Sequence, residues 1–289
     1  MKKVLAVLTL FCAALFVSCR SASKTECPEV TIEDLKSMDL SNLWIGAIPY
    51  LDRVGHNDNI PVDEEYIKEH NMIKWFDRGE FLGYVGDDFT RFYIHISSVY
   101  KDVDDPLCYR MCGKVRIGDM IHYIAGALHI EDIEMLDNPM EVAGIWEGCT
   151  ISGSYEFSEF QGDLWCWDLF AKDEPTLAVL SGRHYIYVCP DADKKLYYDT
   201  VSICGDGYCN NQWEGIRRDL ATGVQTVCNW GAERIPNSYG FDTGTGEFIP
   251  AEEYRKNGWQ SYVSWTFDDE NERKQAIEEE LRKWWILGI

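Results

Sequence analysis

The chain has 289 residues, 46% of them hydrophobic and 26% charged, with a formal net charge of −22. That apolar fraction supports a folded core and excludes wholesale disorder, and the length suits one large β domain or two small ones. The excess of 49 acidic over 27 basic residues excludes nucleic acid as a partner, because that would need a phosphate-neutralising basic surface.

In chain order, Lys2 and Lys3 form a short positive region, and Val4 to Val17 is an uncharged, mostly apolar run. The run is short for a spanning helix, which needs ~20 apolar residues, and fits the core of a signal peptide. Phe16-Val17-Ser18-Cys19 follows it. These four residues resemble the lipobox of bacterial lipoproteins, with Phe16 where leucine is usual. The resemblance covers residues 1–19 alone. It implies that residues 1–18 are removed as a signal peptide and that Cys19 is lipidated with palmitate-type acyl chains. It also implies attachment to a membrane of the bacterial cell envelope. One acyl chain holds a protein only marginally and two hold it durably. Residues 19–26, with Arg20 to Thr25 all small or polar, then serve as a tether. An ordinary signal peptide cut at Ser18, Ser21 or Ala22 is the other reading of this segment.

Of the 11 cysteines, Cys12 would leave with the signal and Cys19 would carry lipid. An odd number follows, from Cys27 to Cys228, and cannot all pair internally. Several occupy apolar strand positions, where a free thiol acts as a small hydrophobe. The best local disulfide candidate is Cys204–Cys209, a loop closed across Gly205-Asp206-Gly207.

The β-rich domain spans 27–289. A short helix is expected from Thr31 to Met38, with Thr31 as N-cap and acids in its first turn. One or two helical turns are expected over Asp63 to His70. From about residue 72 the period becomes two. Phe92, Ile94 and Ile96 share a face, as do Tyr109 to Ile117, Ile124 to Ile130 and Cys149 to Phe157 at every second residue. Such alternation marks half-buried strands. Further strands are expected over Leu164–Phe170, Leu177–Leu180, His184–Val188, Leu196–Ile203 and Gln212–Arg217. Gly118-Asp119, Gly162-Asp163 and Asp191-Ala192-Asp193 read as hairpin connections. Thr222 to Ser261, rich in glycine and aromatics, reads as a long ordered loop, followed by a strand at Tyr262–Phe267. A helix over 268–286 has acids at its start and Arg282 and Lys283 near its end, with Ile277, Leu281 and either Trp284 or Trp285 as a docking stripe. The expected fold is mainly β: an antiparallel sandwich or barrel-like sheet with a C-terminal amphipathic helix.

Motifs narrow the function little. Asp242-Thr243-Gly244 matches the core of an aspartic-protease loop, but no second copy exists, and that chemistry needs two carboxylates sharing a proton. It reads as a glycine turn. The six histidines lack zinc-ligand spacing, and no phosphate loop or dinucleotide fingerprint occurs, so no cofactor or metal is expected. The aromatics carry the best hint. Trp165 and Trp167 share one strand face and form either a ligand platform or a wall of the core. The leading expectation is a non-catalytic envelope protein that binds a ligand or partner, a glycan or another envelope protein. The alternative is a glycan hydrolase using paired carboxylates and Trp platforms.

Overall fold

Residues 27–44, 81–136, 141–142, 145–146, 148–161, 175–199 and 206–286 are described by the structure, a computed structural model. The leader, Cys19, the tether, the Asp63–His70 turns, the Gly162-Asp163 connection and the Leu164–Phe170 strand lie outside them.

The alternating segments become long antiparallel strands. They are β1 Leu82–Val85, β2 Thr90–Lys101, β3 Cys108–Ile117 and β4 Met120–Met135. A small hairpin follows, β5 Glu141–Val142 with β6 Ile145–Trp146. Then come β7 Cys149–Phe160, β8 Thr176–Pro190, β9 Leu196–Tyr198, β10 Asn210–Asp219 and β11 Gln225–Ala232. The sheet order is β10-β11-β1-β2-β3-β4-β7-β8-β9, and β8 also pairs with β10. That last pairing, from Gln212↔Tyr185 to Asp219↔Ala178, closes eight strands into an antiparallel barrel, with β9 as an appendage on β8. Closure removes the free strand edges that would otherwise template aggregation. Of the two architectures expected, the barrel is the one formed.

An eight-stranded barrel is just wide enough for its own side chains or one small ligand. Here the middle is filled. Phe92, Ile94, Tyr109, Leu128, Phe157, Leu180 and Ile186 are wholly buried in the main cluster. Trp213 stacks on Trp230 at 5.4 Å between ring centres, and Tyr155 meets both edge-on. Tight curvature brings strand backbones close. A Cβ added to Gly126 would lie 1.9 Å from the Glu156 carbonyl oxygen, so only glycine fits there.

Register slips between β10 and β11 around Asn210/Trp213, which leaves backbone groups without ladder partners. Buried amides supply them. Asn210 accepts from Tyr187 N at 2.7 Å and donates to Tyr187 O at 3.0 Å. Gln212 donates to the carbonyls of Asn210, Ala232 and Arg234. Each side chain thus covers groups that would be costly to bury unpaired.

One barrel end is plugged from outside. Helix α1 Ile32–Ser37 begins at Thr31, which caps it as expected and also forms a capping box with Asp34. Leu35, Leu40 and Trp44 are buried against the main core. Lys101, at the end of β2, donates to the carbonyls of Leu35, Lys36 and Met38. Asp34 is held down to about 2 by its bonds to Lys194 and Thr31.

The region from 222 onward departs from expectation in three ways. Gln225–Ala232 is a full strand inside the expected loop. Tyr262–Phe267 is not a strand, because Ser261–Thr266 winds as 3₁₀ turns that bury Tyr262 and Val263. The C-terminal helix α2 spans only Glu270–Glu280, capped by Asp269, and buries only Ala276. It is therefore a polar helix rather than an amphipathic one. Leu281 is its C-cap, and Trp284 docks from the turns beyond it. What fixes α2 is charge. Arg91 on the outer face of β2 makes a paired contact with Glu280 at 2.6 and 2.7 Å, and Arg116 reaches Glu279 at 3.0 Å. A second aromatic cluster, Tyr84, Phe241, Phe248, Trp259 and Tyr262, packs this layer onto the barrel wall.

Candidate functional site

At the end opposite the plug the described residues leave the barrel unfilled. Register places the β1–β2, β3–β4 and β10–β11 turns here, and a cavity of about 300 Å³ opens between them. That is the lower limit of the range for small-molecule sites. Val85, Val115, Ile117 and Met120 give it aliphatic walls. Its polar floor is made by three side chains on alternate, inward positions of three strands: His122 on β4, Glu159 on β7 and Arg217 on β10.

These three form one network. Arg217 donates from Nε to Glu159 Oε2 at 2.8 Å and from Nη2 to Oε1 at 3.0 Å. His122 Nδ1 meets Glu159 Oε1. Glu159 is wholly buried. Ala178 of β8 pairs with Glu159 and stands between β7 and β10. Its small side chain leaves room for Arg217 to reach across β8. Burial alone would lower the Arg217 pKa, but the hydrogen bonds and charge of Glu159 outweigh it and hold the guanidinium above its usual range. Removing one member of such a buried pair typically costs about 3–5 kcal/mol.

Both carboxylate oxygens are thus engaged, while His122 Nε2 and the remaining guanidinium N–H groups face the cavity. The His122–Glu159 pair orients an imidazole as a base is oriented in hydrolytic sites. The walls, however, hold no second buried carboxylate among the described residues. Asp88, at the rim, is tied to Thr90 Oγ1 at 2.9 Å. Met120 (59% exposed), Val224 (58%) and Leu220 (43%) put apolar side chains around the same end.

Sequence reasoning did not find this site. Trp165, Trp167 and Cys204 lie outside the described residues. Cys209 is a free thiol, a correction to the expected Cys204–Cys209 bridge. Beside it, Gly207 N donates to the carbonyl of Gly246. Cys112 is the disulfide-bonded cysteine among the described residues, and its partner lies outside them. Of the described tryptophans, Trp44, Trp213, Trp230 and Trp259 are fully buried and serve as core, while Trp265 is 38% exposed. Asp242 is a turn residue as expected: Oδ1 accepts from Gly244 N and Ile249 N, and Oδ2 pairs with Arg234. His184 lies deep in the interior, 1% exposed.

Neither family models, curated proteins nor solved structures give a match to this chain. Among the described residues no helix is long and apolar enough to cross a membrane, and no cluster of metal-ligating side chains occurs.

Proposed function

We propose that the chain is an envelope lipoprotein that binds a small amphipathic molecule in the open end of its barrel. The observation that carries this reading is the cavity itself: aliphatic walls of Val85, Val115, Ile117 and Met120 over a single polar floor of His122, Glu159 and Arg217. A packed barrel needs no such space, and a charged network buried at its base is poorly accounted for by stability alone. The membrane anchor rests on Lys2, Lys3, the apolar run and Cys19.

Two measurements test the proposal. Methyl-labelled protein titrated with a mixture of small amphiphiles should show shifts at Ile117, Val115 and Met120. The substitution Val115→Trp, which fills the cavity, should abolish them. Shifts that persist in that variant, or that map to the outer wall, would place binding elsewhere. Turnover of any bound compound would move the protein into the enzyme class, with His122 as base. For the anchor, mass spectrometry of the mature N-terminus should find acylated Cys19. A start at Ser21 without acyl groups would refute it.

A further inference from the structure

We infer that the cavity selects an uncharged, hydroxyl-bearing amphiphile, a compound with an aliphatic body and an O–H that donates to His122 Nε2. The inference rests on the cavity being the binding site, as proposed above. It comes from the unused valences of the floor. Glu159 accepts from Arg217 at both oxygens and from His122 Nδ1. A carboxylate can only accept, so Nδ1 carries a ring proton, and in the neutral tautomer that this contact selects Nε2 presents a lone pair. Arg217 spends Nε and one Nη2 hydrogen on Glu159 and keeps the rest of its N–H groups. The floor therefore offers one acceptor and adjacent donors, the complement of a hydroxyl, which donates once and accepts once.

Charge argues against the obvious alternative, a fatty carboxylate held by arginine. Arg217 is already neutralised by Glu159 in paired geometry. An incoming anion would meet the Glu159 carboxylate and the His122 lone pair without a free cation to offset them. Asp87, Asp88, Asp119 and Asp219 stand at this end of the barrel, in a chain of net charge −22. The aliphatic walls, with no Phe, Tyr or Trp side chain among the described lining residues, suit a flexible alkyl body.

Three probes of nearly equal size separate the possibilities: 1-octanol, heptyl methyl ether and octanoate, each titrated into the full-length mature protein by calorimetry or methyl shifts. The alcohol should bind about tenfold more tightly than the ether, which can accept from Arg217 but cannot donate to His122. It should bind more tightly still than octanoate. In His122→Leu, which keeps the Glu159–Arg217 pair, the preference for alcohol over ether should vanish while both still bind. Equal binding of alcohol and ether to the wild type, a preference retained in His122→Leu, or tightest binding by octanoate would each overturn the inference and leave the cavity as a ligand site. Failure of all three probes to shift Val115 or Ile117 would instead remove the proposed binding function, and this inference with it.

Discussion

His184 shows how a single side chain sets a condition on the whole barrel. Its Nε2 donates to Asn211 Oδ1 at 2.9 Å, and its ring lies 4.1 Å from Trp213. Burial drives its pKa down to about 3 from the ordinary 6.5, and the bond to Asn211 opposes this only in part. The folded state thus refuses a proton that the unfolded chain accepts below pH 6.5. The stability tied to His184 is complete above that pH and is lost as pH falls toward 3. By pH 4 the loss should reach about 3 kcal/mol. Urea unfolding of wild type and His184→Gln at pH 7 and pH 4 checks this: the variant should lose about that much less between the two, and equal losses would contradict the assignment. Glycine makes a second contrast. Gly126→Ala forces a Cβ into the Glu156 carbonyl and should cost at least about 2 kcal/mol. Gly118→Asn, at φ +58° with nothing within 4 Å, should cost under about 1 kcal/mol, because asparagine tolerates that backbone. Thermal melts that rank the two the other way would show that the strand at Gly126 can give.

At the scale of elements, α2 is held by ions rather than by apolar surface. Arg91 is buried beneath Tyr93, Trp259 and Tyr262, so its partner Glu280 cannot be removed without leaving a charge in a dry site. Glu280→Ala should destabilise by about 3–5 kcal/mol and free α2 to exchange amide hydrogens. Protection at 272–279 equal to wild type would mean that Trp284 and the stack of Trp285 on His95 at 4.2 Å suffice alone. This helix also shows what the sequence could tell. Its start was readable because Asp269 caps it locally, but its length was not, because Leu281 and Trp284 look like a stripe whether or not the backbone stays helical. β2, β3, β4 and β7 were readable because one face is apolar at every second residue. β11 was missed because both its faces are covered near Cys228 to Ala232, which erases alternation. The site was missed for a different reason. His122, Glu159 and Arg217 are far apart in sequence, and only closure of β8 on β10 joins them. A usable signal did exist. Glu159 continues the inward series Ile151, Gly153, Tyr155, Phe157, and Arg217 continues Trp213, Gly215, so each is a charge on a face that should be apolar.

The whole molecule has polarity along the barrel axis. Residues 27–44 cover one end, and the cavity opens at the other. A lipid on Cys19 would therefore hold the plugged end toward the bilayer and turn the open end outward. β2 is 12 residues long, roughly 40 Å at 3.3 Å per residue, or about 30 Å along the axis after a strand tilt near 40°. Ligand would then arrive from solvent or from a partner facing the anchoring membrane, with Met120, Leu220 and Val224 at the point of entry. Acidic charge on this surface keeps it off anionic lipid. Fluorophores at Val224→Cys and at Val103→Cys, on the loop at the plugged end, report the orientation on vesicles carrying a lipid-borne quencher. Quenching should be strong at Val103 and weak at Val224, since the two sites differ by about the length of the barrel. Strong quenching at Val224 would mean that the mouth faces its own membrane, and that the bound molecule is drawn from that bilayer rather than from across the gap.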